Sequence, residues 1–152
     1  MFQSRTQPKY KYPHEVFSDV CKINSFHDRV AFLQANQSFA IRTILQGNFS
    51  SGLKFDLPEG VPPFVRDNLP FGHSMGRIDK SIKVLSRLAL IEGQTPSVGL
   101  SRIKKETNFI QLLESVNEKD ADVIIAMKDK KLTAMFPMID ETLVRAAFPD
   151  LI

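Results

Sequence analysis

The sequence lacks the residue patterns from which most enzymatic and metal sites are built. It has one cysteine and three widely separated histidines among 152 residues, so no intramolecular disulfide can form and no spacing matches a zinc site. It has no Gly-x-Ser-x-Gly turn, no Gly-x-x-x-x-Gly-Lys-Ser/Thr loop and no Gly-x-Gly-x-x-Gly. We therefore expect a protein that is not an enzyme, with no metal, no cofactor and no small-molecule substrate.

Long apolar runs are also missing. No stretch approaches the roughly 18 residues that a membrane-spanning helix requires, and the N-terminal sequence MFQSRTQPKYKYP has no apolar signal segment. A single cysteine, Cys21, is typical of a reducing compartment. We expect a cytoplasmic protein with no membrane partner.

Apolar residues recur at helical spacing along most of the chain. This pattern predicts an all-α fold: one compact domain of six or seven helices, residues 13–152, after a flexible basic arm, residues 1–12. The helices are predicted to begin at Pro13, Ser25, about Gln37, Ser74 or Arg77, Ser97 or Ser101, Asn117 and Asp140. The third helix is predicted to end at Gly47 and the fourth at about Ile91.

One region, residues 48–76, lacks helical periodicity. It holds four of the nine prolines and four of the seven glycines, which predicts a long ordered loop between the third and fourth helices. Its apolar residues are expected to pin it onto the core: Phe49, Leu53, Phe55, Leu57, Phe64, Leu69 and Phe71.

Within this loop, Lys54-Phe55-Asp56 is close to the Lys-x-Asp-Gly in which nucleotidyl-transferring ligases place their adenylated lysine. Leu57 stands where that motif has glycine, and the residues before Lys54 do not read as a β-strand. A lysine nucleophile also needs desolvation or neighbouring cations, together with a nucleotide pocket. We interpret Lys54 as a structural residue.

Basic residues are concentrated in one third of the chain. The net charge is +3, but residues 77–105 hold seven basic residues against two acids. On the predicted fourth helix the cations lie opposite the apolar stripe. The candidates for binding the backbone of double-stranded DNA are Arg77, Lys80, Lys83, Arg87, Arg102, Lys104, Lys105, Lys128, Lys130 and Lys131. A solvated basic face is the alternative interpretation of each.

Four stretches resemble the N-terminal helical DNA-binding domain of the ATP-dependent DNA ligases of tailed bacteriophages: AIRTILQGNFSSGLKF, RIDKSIKVLSRLAL, NEKDADVIIAMKDK and ETLVRAAFPDLI. The last is similar to the Phe/Trp-Pro-Gly-Leu-Ile ending that closes that domain. The likeness spans about residues 14–152 and extends to short tailed-phage proteins with the same FDLPEG-PP and KDKKL segments. It implies a free-standing, non-catalytic DNA-binding domain in the infected host cell, with carriage in the virion as an alternative.

The turn between the last two helices departs from the ligase pattern. In the ligases it is glycine-rich, so that backbone N–H groups approach phosphates, whereas residues 128–137 here contain no glycine. Two functions stay open. One is a phage accessory protein that binds DNA non-specifically in replication, repair or transcription. The other is a protein-interaction module whose loop, residues 49–71, contacts a phage or host polymerase, clamp, RNA polymerase or virion component.

Overall fold

Most helices begin where a short polar side chain accepts a hydrogen bond from the first helical turn. In the computed structural model, which describes residues 12–66, 78–92 and 101–152, five helices are capped in this way, by Ser25, Ser38, Ser101, Asn117 and Asp140. A sixth begins with proline, whose missing N–H is not needed at that position. The predicted starts at residues 13, 25, 117 and 140 are confirmed. Of the two predicted starts of the fifth helix, Ser97 and Ser101, the structure has Ser101.

The described residues form eight helices and one small sheet. The helices are α1 (Pro13–Cys21), α2 (Phe26–Ala35), α3 (Phe39–Phe49), α4 (residues 78–88), α5 (Arg102–Glu114), α6 (Glu118–Lys128), α7 (Leu132–Met135) and α8 (Glu141–Ala147). Helix α4 contains a 3₁₀ turn, Ile82–Val84, between two α-helical turns. The strands β1 (Leu53–Phe55) and β2 (Ala89–Ile91) pair antiparallel. The fold is therefore one mainly helical domain, with a short sheet that the all-α prediction did not include.

Helix α6 lies at the centre of the domain. It packs against α1, α3, α5 and α7. Its apolar side chains are buried on nearly every side, as expected of a helix surrounded by others: Ala121, Val123, Ile124, Ile125 and Met127. The charged residues Asp120 and Lys128, near its two ends, are buried as well.

Gly47 does not end α3, as the sequence predicted, but lies inside it. A Cβ atom at this position would collide with Sδ of Met127 on α6 and would lie 3.2 Å from the ring of Phe55. Helix α3 continues to Phe49, and the glycine permits the close approach of two helices. The prediction of a helix stop here was wrong because the glycine serves packing.

The fourth helix ends before the predicted residue 91. Residues 89–91 leave the helix to pair with β1, and Asp56 N–H donates to the carbonyl of Leu88 at 2.9 Å beside this ladder. The helical pattern of the sequence does not reveal this change, because the strand partner lies more than thirty residues earlier, at Leu53–Phe55.

The predicted long loop is described as far as residue 66. Four of the seven apolar residues expected to pin it, Phe49, Phe55, Leu57 and Phe64, are half-buried and pack against the core, but Phe49 belongs to α3 and Phe55 to β1 and not to a loop. The remaining part, residues 67–77, lies outside the described residues, as do residues 1–11 of the predicted arm. Tyr12, which was assigned to that arm, is buried immediately before α1.

Gly47→Ala should lower the free energy of unfolding by about 1–3 kcal/mol, the usual effect of adding a methyl group to a packed contact. Alanine is the better helix former by about 1 kcal/mol, so the sign of the change tests the packing argument. Urea unfolding measures it. In a Met127→Ala background the same substitution should be less harmful, and a gain in stability in the wild-type background would contradict a close contact between α3 and α6.

Candidate interaction surfaces

The cations predicted to bind DNA do not form one surface of free charges. Arg77 lies outside the described residues. Lys105 and Lys128 are buried, with side chains only 4% and 2% exposed. Arg102 and Lys131 are exposed but form ion pairs with carboxylates of this chain. Four of the candidate cations, Arg102, Lys105, Lys128 and Lys131, are therefore already engaged by carboxylates of this chain.

Asp56 holds the beginning of the loop onto α5. Its carboxylate accepts a hydrogen bond from Nζ of Lys105 at 2.9 Å and another from Nη2 of Arg102 at 3.3 Å. The hydrogen bond from Lys105 lowers the pKa of Asp56; partial burial opposes this shift, and the charges of Lys105 and Arg102 reinforce it. Lys105 thus has the ionised partner that a buried cation needs and is not available to a phosphate.

Lys128 and Asp129 hold the middle of the same loop. The Lys128 ammonium donates to the carbonyl of Pro58 at 2.8 Å and pairs with Oδ1 of Asp129 at 2.6 Å. The other Asp129 oxygen accepts the backbone N–H of Gly60 at 3.0 Å. Gly60 has φ of +96°, in the region that favours glycine. The loop is therefore fixed at successive positions by groups that are largely withdrawn from water.

Lys130 closes the end of another helix. With φ of +61° it turns the chain after α6, and its ammonium donates to the carbonyls of Gly47 at 2.9 Å and Ser50 at 2.8 Å. These contacts satisfy carbonyl groups that a helix leaves unpaired at its C-terminus. Desolvation and, secondarily, the charge of Lys54 lower the pKa of Lys130. This lysine serves the fold of the chain itself.

Lys131 pairs with Glu59 at 3.2 Å, and both side chains are mostly exposed. Such a pair contributes little to stability. Residues 128–137, which were predicted to form a glycine-free turn, contain the short helix α7.

Between the loop and α5 lies an open cleft, which we call the loop cleft. It has a volume of about 270 Å³ and is lined by residues 57–63 on one side and by Glu106, Phe109 and Ile110 on the other, with Lys128. The lining is mostly apolar, and Val61 at its rim is 66% exposed. Three charged residues line the cleft. Lys128 and Glu59 form ion pairs, whereas Glu106 forms none within the part of the chain that the structure describes.

A second groove, which we call the hairpin groove, lies between α3, α4 and the β1–β2 hairpin. Its volume is about 300 Å³, and its lining includes Phe39, Phe55, Leu85, Ile91 and Lys83. Phe39 and Ile91 are 50% and 43% exposed. The Lys83 ammonium lies 5.7 Å from the centre of the Phe39 ring, within range of a cation–π contact.

A third, shallower groove between α4 and α5 is polar. It is lined by Ser81, Val84, Arg87, Asn108, Gln111, Leu112 and Ser115. Lys104 lies one helical turn before Asn108 on α5. Among the residues of segments 12–66, 78–92 and 101–152, no carboxylate forms an ion pair with Lys80, Lys83, Arg87 or Lys104, and all four are exposed.

His14 and Asp120 form a polar contact near the N-terminus of α6. Asp120 is 1% exposed and accepts hydrogen bonds from the backbone N–H of His14 at 3.0 Å and from its Nδ1 at 2.8 Å. A carboxylate in the first helical turn is also stabilised by the helix dipole. The contact joins the first turns of α1 and α6 and so orients two helices.

The described helices do not include one long and apolar enough to cross a membrane. In the same segments, no three His, Cys, Asp or Glu side chains are grouped closely enough to hold a metal ion.

The fold and these surfaces define a small, mainly helical protein with preformed grooves. The chain belongs to a family of unknown function, DUF6433, whose model matches residues 16–134. No curated protein and no solved structure matches this chain. The matched range contains the loop cleft and the hairpin groove. The resemblance to the phage ligase domain stays a prediction.

The acidic partners of the loop were not predicted. Asp56 lies 49 residues before Lys105, and Glu59 lies 72 residues before Lys131, so no local pattern connects them. A signal was present at the two buried cations. Lys105 precedes Phe109 by four residues, and Lys128 follows Ile124 by four, so each lies in register with the apolar stripe of its helix.

Asp56→Asn should lower the free energy of unfolding at neutral pH by about 3 kcal/mol, the lower end of the range for removing one partner of a buried ion pair. The free energy of unfolding of the variant should also decrease less at acidic pH than that of the wild type. Because the folded pKa of Asp56 is below its ordinary value of 3.8, its contribution is complete above that value and disappears as the pH falls through the folded pKa.

Urea unfolding at neutral and acidic pH measures both effects. Glu59→Gln is the matched control, since it removes an exposed ion pair from the same loop and should change stability by less than about 1 kcal/mol. Equal losses in the two variants would contradict the assignment of Asp56 as an anchor of the loop.

Proposed function

We propose that this protein is a non-catalytic protein-interaction module that binds a short segment of a partner protein in the loop cleft. The observation that carries the proposal is the anchoring of one cleft wall by the buried ammonium of Lys128, which donates to Pro58 and pairs with Asp129. The Asp56–Lys105 ion pair fixes the same wall one residue before the cleft begins. A wall held in place loses little conformational freedom on binding, which favours affinity.

The lining of the cleft indicates the chemistry of the partner. Phe109 and Ile110 offer apolar contact, and the volume of about 270 Å³ lies below the range typical of drug-sized ligands and suits a few side chains. Glu106, which has no ion-pair partner in the described part of the chain, can receive a cation. The segment that fits best therefore carries an apolar side chain beside lysine or arginine.

The distribution of charge favours this function over binding of the DNA backbone. A duplex is held by accessible cations that neutralise phosphates. Lys105, Lys128 and Lys130, which were candidates for phosphate contacts, instead donate to groups of this chain.

Non-specific binding of duplex DNA is a second candidate function, supported by the polar groove between α4 and α5. Arg87 lies there with Asn108 and Gln111, residue types that commonly donate to phosphate and sugar oxygens. Lys80 and Lys104 are exposed cations on the same two helices. This surface is smaller than the one the sequence predicted.

Selection from a library of random short peptides on the immobilised 152-residue chain tests the first function. We expect enriched peptides with an aliphatic or aromatic residue next to lysine or arginine. Their binding should fall by about tenfold or more in Ile110→Glu, because a charge would enter the apolar wall.

Ile103→Glu is the matched control, since Ile103 lies on the same helix, is 76% exposed and is not part of the cleft lining. Its peptide binding should equal that of the wild type. Failure to enrich any motif, or a motif whose binding survives Ile110→Glu, would refute the use of this cleft.

Duplex titration at low and high salt tests the second function. If Lys80, Arg87 and Lys104 contact phosphates, the log–log salt slope should be about −3, with close to one unit for each phosphate contact. Arg87→Glu and Lys104→Glu, made separately, should each weaken the binding strongly, and Lys119→Glu on α6 is the charge-matched control for each. Absence of binding at low salt would eliminate this function.

A further inference from the structure

We propose that the hairpin groove is a second docking site, and that it binds a partner segment carrying an aliphatic or aromatic side chain next to aspartate or glutamate. This site is independent of the loop cleft. It is formed by other elements of the fold. Its unpaired charge is the positive Lys83, whereas the unpaired charge of the loop cleft is the negative Glu106.

The groove already has an apolar floor and half-exposed apolar edges. Ile82 and Leu85 are buried beneath it, whereas Phe39 and Ile91 keep 50% and 43% of their surfaces exposed. Phe39 comes from the first turn of α3, and Ile91 comes from the end of β2. An apolar side chain bound in this groove would cover apolar surface that is now in water.

The charge at this groove selects acidic groups. Lys83 is the charged side chain of the lining, and the nearest acid on its own helix, Asp79, is already engaged, because its carboxylate accepts the backbone N–H of Ala40 at 2.9 Å. Glu92, at the other end of the hairpin, lines a separate hollow together with Lys54. The Lys83 ammonium is held over the Phe39 ring and therefore stands at the rim, where it can receive a carboxylate.

Lys80 strengthens this preference. It precedes Lys83 by one helical turn, is exposed and has no ion pair within the described residues. Two unpaired cations beside an apolar groove complement an acidic, apolar segment, whereas the free carboxylate of Glu106 in the loop cleft complements a basic one. The two sites therefore select different segments, and one molecule can bridge two partners or two parts of one partner.

Duplex DNA could also use Lys80 and Lys83, but it would not use the apolar edges. A phosphate backbone gains nothing from Phe39 or Ile91, whereas an apolar side chain depends on them. Replacing Phe39 by an uncharged polar residue should therefore weaken the binding of an apolar peptide and leave the binding of duplex DNA unchanged.

The same random peptide selection, carried out on the Ile110→Glu chain so that the loop cleft is disabled, tests this inference. We expect enrichment of peptides with leucine or phenylalanine next to aspartate or glutamate. Binding of a synthetic, fluorescently labelled representative should fall by about tenfold or more when either Phe39→Ser or Lys83→Glu is added to the Ile110→Glu chain. Substituting lysine for the acidic residues of that peptide should weaken its binding to the Ile110→Glu chain and restore binding when Lys83→Glu is added.

Phe26→Ser and Lys119→Glu are the matched controls, because they change an exposed phenylalanine and an exposed lysine outside the groove. Added to the Ile110→Glu chain, each should leave binding of the peptide unchanged. Circular dichroism of each variant tests for loss of folding, which is not expected for substitutions at the surface.

Three outcomes would overturn the inference. One is the absence of any enriched acidic motif on the Ile110→Glu chain. Another is a motif whose binding is indifferent to Phe39→Ser. The third is duplex binding that Lys83→Glu abolishes and Phe39→Ser leaves intact, which would assign the cations to DNA. Since the loop cleft is disabled throughout, none of these results bears on the function proposed for that cleft.

Discussion

The loop cleft depends on the hydrogen bond and the ion pair that the buried Lys128 ammonium forms with Pro58 and Asp129. Lys128 lies at the C-terminal end of the central helix, where the helix dipole favours a cation. Burial of a charge is strongly unfavourable without partners, and here the carboxylate of Asp129 and the carbonyl of Pro58 supply them. One side chain thereby links the central helix to a segment without helix or strand, and so helps to fix the shape of the loop cleft.

Local signals in the sequence predicted the local structure well. The caps at Ser25, Asn117 and Asp140 were found because a capping side chain and the N–H group it binds lie within three residues. Such interactions are visible in any short window of sequence. The same holds for Pro13 at the start of α1.

Features that depend on distant residues were not predicted. Gly47 was interpreted as a helix stop because its contact, Met127, lies eighty residues later in the chain. Strand β2 was assigned to a helix because its partner precedes it by more than thirty residues. In both cases tertiary packing outweighed a propensity that is worth about 1 kcal/mol.

The clustering of cations along the sequence was a poor guide to their use. Lys105 and Arg102 are near neighbours in sequence, but one is buried and the other is 73% exposed, although both contact Asp56. A count of charges in a window cannot separate a solvated lysine from one that anchors a loop. The register of Lys105 and Lys128 with apolar stripes was the better signal, since a cation at a core position needs an internal partner.

The anchoring of the loop also sets an order of events during synthesis of the protein. Asp56 and Pro58 leave the ribosome well before their partners, which follow 49 and 70 residues later. At ordinary translation rates of about 5–20 residues per second, the loop waits roughly 3.5–14 s for the Lys128 ammonium. During that interval Leu57 and Phe64 have no completed core to pack against. The nascent chain therefore exposes an apolar segment that chaperones can bind.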